Sequence, residues 1–340
     1  MMWRMSRSRF VGRIGLVIAM LGTAVAGCSA RRDATPGPAR AGSGRDKVKL
    51  LLDWYPEAEH GGYYAALVHG IYEQHGLDVE IVPGGRTSAV APELVLGRAQ
   101  FGVGNADGVI LARSEESPLV ALMAPLQVGP RCIMVRKDSG IESFAGLKEM
   151  KLEAQAGQPD IEFLRRGGFL DASVQVVPYF GSVAQLVAGP GTAQQGYSFS
   201  EPFLAAQEGV PVNVLMLSEL GWNPYGCCLL SSDTYVAAHG DVARRMVAAS
   251  IAGWRRYLQD PAETNAFILG RNQQGMTREA LDFGAEALKP LCLPEGMAEA
   301  DLGIMTSDRW TSLYEQLVAL ELVDRAKVKP EECFRWPLAP

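Results

Sequence analysis

Short apolar runs alternate with amphipathic stretches over residues 47–231, and that alternation predicts strands and helices in turn. Residues 48–52 read as a strand. From Tyr64 onward Leu67, Val68 and Ile71 share a helical face, and Gly76 stops that helix. A strand at 79–82, a helix around 92–98, a strand at 100–103, a helix from Val109 and a strand at 119–123 complete a first βα set. A second set opens at 132–136. It continues with a helix near 161–166, a strand at 174–177, a helix near 182–187, strands near Tyr197 and at 212–217, and a returning strand at 227–231. Beyond it the pattern turns helical. Val247, Ile251, Trp254 and Leu258 lie on one face ended by Asp260-Pro261, and Trp310, Leu313, Tyr314 and Leu317 repeat the spacing. Both tryptophans are expected in the core. Two βα sets and a helical tail predict an α/β chain of two lobes around a cleft, with a ligand at the carboxyl ends of the strands.

The first residues are of another kind. Arg4, Arg7, Arg9 and Arg13 precede an apolar stretch at 14–25, then Ala26-Gly27-Cys28. Twelve residues fall short of the ~18–20 that span a bilayer, so residues 1–27 read as an export signal. A cysteine directly after Ala-Gly resembles the lipobox of bacterial lipoproteins, which makes Cys28 the expected lipidation site and the lipid a membrane anchor. Residues 28–46, rich in Arg, Gly, Pro, Ala and Ser, read as a flexible tether. Removing the four arginines leaves 28 bases against 38 acids, a charge of −10, which excludes a nucleic-acid partner.

Cys132, Cys227, Cys228, Cys292 and Cys333 remain. Export permits disulfides, but an odd number leaves at least one thiol free. With no Cys-x-x-Cys and no ligand spacing among the four histidines, no metal and no cofactor is expected. The chain also lacks GxxxxGK[ST], a full dinucleotide fingerprint and a GxSxG elbow, so no enzymatic machinery is visible.

Three loops carry candidate chemistry. The segment from Asp53 to Tyr64 holds aromatics, three acids, His60 and two glycines just after a strand. Aromatic faces can stack on a flat ring while carboxylates accept from its amino groups. The run from Gln194 to Pro202 places Glu201 before a proline, biased away from helix. The third, Gly221 to Gly226, is an aromatic turn ahead of a strand.

The run LLDWYPEAEHGGYYAALVHGIYEQHGLDVEIVPGG resembles the opening of solute-binding proteins of the thiamine-pyrimidine-precursor family, relatives of the fungal pyrimidine synthase. FGVGNADGVILARSEESPLVAL, AQQGYSFSEPF, NPYGCCLLSSDTYVAAHGDVARRMVAASIAGWRRYLQDP and MTSDRWTSLYEQLVALELV match the same family in order. The resemblance implies a two-lobed periplasmic-binding-protein fold of type II. Lobe 1 would comprise residues 47–127 plus 231–340 and lobe 2 residues 128–230. It also implies a monomer outside the cytoplasm that serves an ABC permease and ATPase and captures a flat nitrogen heterocycle. Carried over by position, Asp53, Trp54, His60 and Glu201 line the pocket, with Tyr64 and Tyr197 as neighbours. Asn105 and Asp107 match the turn after the third strand, and Asn223 and Tyr225 the turn facing the second lobe. The fungal synthase carries a Cys-Cys-Cys-Phe-Cys iron motif. Here the corresponding turn, Trp222 to Gly226, has no thiol, and Cys227 and Cys228 are expected on opposite faces of a strand, unable to hold a metal jointly.

Two other readings compete. An anion binder for sulfonate or nitrate on the same architecture would direct Arg and helix N-termini at its ligand, which the acid-rich first loop opposes. A pyrimidine-forming enzyme would need the missing iron thiols.

Overall fold

The computed structural model describes residues 44–155 and 157–338. The expected signal peptide at 1–27, Cys28 and the tether up to residue 43 lie outside the described residues.

Strand β1 (Asp46–Leu51) buries Val48 and Leu50 on one face, and β2 (Leu77–Val82) does the same with Leu77 and Val79 while Asp78 and Glu80 face out. Between them lie helices α1 (Gly61–Val68) and α2 (Ile71–Gln74). The chain continues through α3 (Val90–Val95), β3 (Phe101–Gly104), α4 (Ala106–Ser114) and β4 (Leu119–Met123). It then enters β5 (Arg131–Arg136), β6 (Lys151–Ala154), α5 (Pro159–Arg166), β7 (Gln175–Pro178), α6 (Ala184–Ala188), β8 (Thr192–Tyr197), α7 (Glu201–Gln207) and β9 (Val212–Met216). Strand β10 (Cys228–Ser232) leads into α8 (Asp233–Ala238), α9 (Gly240–Gln259), α10 (Ala262–Leu269), α11 (Arg278–Cys292) and α12 (Ser307–Ala319).

These strands form two five-stranded sheets, ordered β2-β1-β3-β10-β4 and β7-β6-β8-β5-β9. In the first, β1 runs parallel to β2 and β3, and β10 runs antiparallel to β3 and β4. The second repeats the scheme, with β6 parallel to β7 and β8, and β5 antiparallel to β8 and β9. The chain passes between sheets twice, at residues 124–130 and 217–227. It is therefore a two-lobed α/β protein in which each sheet is flanked by helices.

The first lobe's core joins the sheet to α1, α9, α10 and α11 through Leu50, Phe101, Leu122, Trp254, Tyr257 and Leu281. Trp254 and Trp310 are fully buried, as their helical spacing predicts. A Cβ added at Gly62 would fall within the Trp254 ring, and one at Gly61 within the Tyr257 ring, so this glycine pair is what lets α1 lie directly on α9. Edge strand β4 is buried along its length because the chain end covers it, with the Ala121 N–H donating to the Cys333 carbonyl (2.9 Å) and the Arg335 N–H to the Ala121 carbonyl (2.9 Å).

Three details depart from the sequence expectation. Strand β10, expected in the second set and largely within lobe 2 at 128–230, pairs with β3 and β4 in the first sheet. Strand β6 was not anticipated, because Lys151 and Glu153 interrupt its apolar pattern and its pairing with β7 and β8 decides its conformation. Cys227 does not belong to a strand. It takes a left-handed φ of 52° just before β10, so the opposite-face argument for the two cysteines does not apply. Cys227 Sγ instead donates to the Glu59 carbonyl at 2.9 Å, and all five described cysteines are free and buried.

Candidate functional site

A cavity of about 420 Å³ opens between the two lobes, lined by residues that follow the carboxyl ends of strands from both sheets. That is where open α/β sheets place ligands, and the volume suits a small heterocycle. The β1–α1 loop contributes Asp53, Trp54, Glu57 and Glu59; the start of α4 contributes Asn105 and Asp107. From the second lobe come Arg131, Tyr179, Tyr197 and Glu201, with Gln158 and Gln195 beside them.

Trp54 is half-buried, and its ring is braced edge-to-face by Tyr55 with centroids 5.2 Å apart. Trp54 lines the cavity, and the contact with Tyr55 helps to fix its orientation. Glu201 begins α7, and the turn before it folds the chain back on β8. Its carboxylate accepts from the Tyr197 N–H at 2.8 Å and the Tyr179 hydroxyl at 3.2 Å. Burial pushes its pKa up, and those two bonds oppose the rise.

Glu57 is 8% exposed and accepts from the Ser200 hydroxyl at 3.3 Å, a bond between the two lobes. Burial, then the negative charges of Glu201 and Asp53, push its pKa up to about 8, with the Ser200 bond opposing. Glu59 is pushed well above the usual carboxylate range by burial and by Asp53, Glu57 and Glu201.

His60, fully buried, lies behind this wall. Its Nε2 is 3.1 Å from Asp53 Oδ1 and 3.3 Å from Glu59 Oε1. Among the described residues, Asp53, Glu59 and His60 form a group whose ligand atoms lie within 4.8 Å of one another, close enough to hold a metal ion. The histidine spacing gave no sign of this, because the partners are carboxylates rather than other histidines.

Also lining the cavity, Arg131 Nη1 donates to Asp107 Oδ2 at 2.5 Å, and Nη2 to Gln158 Oε1 at 3.3 Å. Strand β5 and helix α4 belong to different lobes, so this buried pair also links them. A third link is made where Arg86 Nη1 donates to the Phe180 carbonyl at 2.7 Å.

Of the ten expected ligand-facing residues, Asp53, Trp54, Asn105, Asp107, Tyr197 and Glu201 line the cavity. His60 supports the wall from behind rather than facing a ligand. Tyr64, Asn223 and Tyr225 lie elsewhere, and the expectation for them is corrected. Tyr64 is buried against Phe267, centroids 5.8 Å apart, because helical periodicity turns it toward α10. Asn223 Oδ1 accepts from the Gly129 N–H at 2.6 Å, tying the two inter-lobe segments together. The Tyr225 hydroxyl accepts from the Thr306 N–H at 3.1 Å, and the Arg309 guanidinium lies 3.7 Å over its ring. Both are held by groups far away in sequence. Among the cavity residues outside those ten are four that bear on its chemistry, Glu57, Glu59, Arg131 and Tyr179. The first two stood in the acid-rich loop and Arg131 in the segment entering β5. Only Tyr179 lacked a signal beyond being an aromatic just after a strand.

The sequence matches the family described as NMT1/THI5 like over residues 57–264. A formylaminopyrimidine-binding protein from Halalkalibacterium halodurans is 22% identical over 291 residues, covering 83% of this chain and 88% of that protein. The riboflavin-binding protein RibY from Chloroflexus aurantiacus is 24% identical over 354 residues, covering 96% and 97%. Among solved structures, the periplasmic aliphatic sulphonate binding protein SsuA from Escherichia coli superposes with a TM-score of 0.67 at 15% identity, covering 86% of this chain and 93% of that one. That last likeness is one of fold alone.

Proposed function

Because this chain belongs to the NMT1/THI5-like family, we propose that it is the solute-binding protein of an ABC importer and captures a flat nitrogen heterocycle of the aminopyrimidine kind. The observation that carries this reading is the joint presence of the Trp54 face and the carboxylates of Asp53, Glu57, Glu59 and Glu201 around one inter-lobe cavity. The indole stacks on the ring, and the acids accept from its amino and ring N–H groups. Glu201 is pre-oriented by Tyr179 and the Tyr197 N–H, so little order is lost when a ligand arrives. Closure of the lobes over the ligand by hinge motion is supported by the inter-lobe contacts of Glu57 with Ser200, Asp107 with Arg131 and Arg86 with the Phe180 carbonyl.

The two relatives that match over most of their length are both named as binding proteins, which supports capture without chemistry. Among the described residues no helix is long and apolar enough to cross a membrane. Membrane attachment in this reading comes from a lipid on Cys28, with the body outside the cytoplasm. A sulfonate reading has only that likeness of fold behind it, and the site opposes it: Arg131 is paired with Asp107, and Asp53, Glu57, Glu59 and Glu201 line the same cavity.

The test is a thermal-shift screen of the soluble body against aminopyrimidines, thiamine, riboflavin and alkanesulfonates, since a ligand of the native state raises its melting temperature. Stabilisation by a heterocycle supports the proposal; stabilisation by sulfonates alone rejects it.

A further inference from the structure

Whether a cavity takes a neutral or a charged solute is decided by the charges that face it without compensation. Asp53, Glu57, Glu59 and Glu201 crowd one end of this one. Ser200 serves Glu57, and Tyr179 and the Tyr197 N–H serve Glu201, all as neutral donors. The buried imidazole of His60 is shared between Asp53 and Glu59. Among the described residues lining the cavity the cationic side chains are two, Arg86 and Arg131. Arg131 is paired with Asp107, and Arg86 bonds the Phe180 carbonyl. The acid end therefore has up to four carboxyls and at most one internal cation. The rings of Trp54, Tyr179 and Tyr197 line the same space. Carboxylates beside aromatic faces in a partly desolvated wall attract an organic cation through both Coulomb and cation–π terms.

Resting on the reading of this cavity as a heterocycle site, we propose that the captured solute is an organic cation, a ring carrying a protonated or quaternary nitrogen, seated among the aromatic rings and the carboxyls of this cavity. Burial and mutual repulsion raise the pKa of Glu57 and of Glu59 in the empty site, and a bound cation would relieve that repulsion. The groups facing them are Asp53 and His60 on their own loop, Ser200 and Glu201 at α7, and Tyr179 and Tyr197 on the second lobe. Behind them Tyr257 of α9 and the Cys227 thiol stay neutral, because burial raises both.

The experiment is calorimetric titration with two rings of the same outline: 4-amino-1-methylpyridinium, permanently charged, and 4-methylaniline, neutral at pH 6–8. The expected result is a cation at least about tenfold tighter than the neutral ring at pH 8. Glu57→Gln should lower the affinity for the cation by a larger factor than the affinity for the neutral ring, and an equal loss for both would overturn the inference. Equal affinity for the two rings would overturn the inference and leave the heterocycle reading standing. Failure of both rings to bind would overturn both. Zinc chloride alone binding in the micromolar range and displacing the cation would reassign Asp53, Glu59 and His60 to a metal ion and also overturn it.

Discussion

Replacing Glu57 by glutamine changes how stability depends on pH, and the structure sets the sign and the scale. The carboxyl is 8% exposed, bonded to Ser200, and raised from its ordinary 4.5 to about 8, first by burial and then by the charges of Glu201 and Asp53. In the unfolded chain it returns to its ordinary value. Between the two values the native state holds a proton that the unfolded state has lost, so stability falls as pH climbs from about 4.5 to 8 and levels off above. At 1.36 kcal/mol per pH unit the interval caps the effect at about 5 kcal/mol. The repulsion is shared among Asp53, Glu57, Glu59 and Glu201, so about half of it, 2–3 kcal/mol, is assigned to this one side chain. Glu57→Gln keeps the shape and an acceptor for Ser200 but cannot ionise. Urea unfolding of both ligand-free proteins at pH 5, 6, 7 and 8 is the assay. The parent should lose about 2–3 kcal/mol more than the variant between pH 5 and pH 8. Parallel profiles, or a parent that gains on the variant as pH rises, would refute the assignment of a buried, repelled acid.

Other expectations follow from single contacts. Trp54→Ala should weaken an aminopyrimidine about tenfold or more, since stacking is worth ~1–3 kcal/mol, yet move the ligand-free melting point little, because the side chain is only half-buried; calorimetry and a melting curve check both. Gly62→Ala drives a methyl into the Trp254 ring and should cost about 1–3 kcal/mol in a denaturant titration. Asp107→Ala leaves Arg131 buried without its partner and should cost about 3 kcal/mol or more. A paired Asp107→Leu, Arg131→Met variant should recover much of that loss.

Where function depends on local pattern, the sequence was informative. The i, i+4, i+7 spacing that starts at Val247 carries Trp254 into the core, because a helix 20 residues long has one face to bury whatever it meets. Asp53 and Trp54 could be placed because they follow directly on β1, where the sheet itself aims the chain at the cleft. What could not be read depends on partners distant in sequence. Tyr225 looks like a pocket aromatic until Thr306 and Arg309 arrive from the start of α12 to hold it. Asn223 likewise looks free until Gly129 takes its carbonyl. Gly61 and Gly62 stood within the candidate loop from Asp53 to Tyr64, whereas the rings of Tyr257 and Trp254 show that they are spacers between helices. Tyr179 reaches Glu201 only because β7 pairs with β6, a strand its own four residues do not announce.

Calorimetric titration of the parent protein, Trp54→Ala and Glu201→Gln with 4-amino-2-methylpyrimidine and with ethanesulfonate bears most directly on the proposed capture of a flat heterocycle. A saturable one-to-one heat with the pyrimidine, weakened at least about tenfold by either substitution, and no heat with the sulfonate is the predicted result. Sulfonate binding in its place, or pyrimidine binding indifferent to both substitutions, would contradict the account.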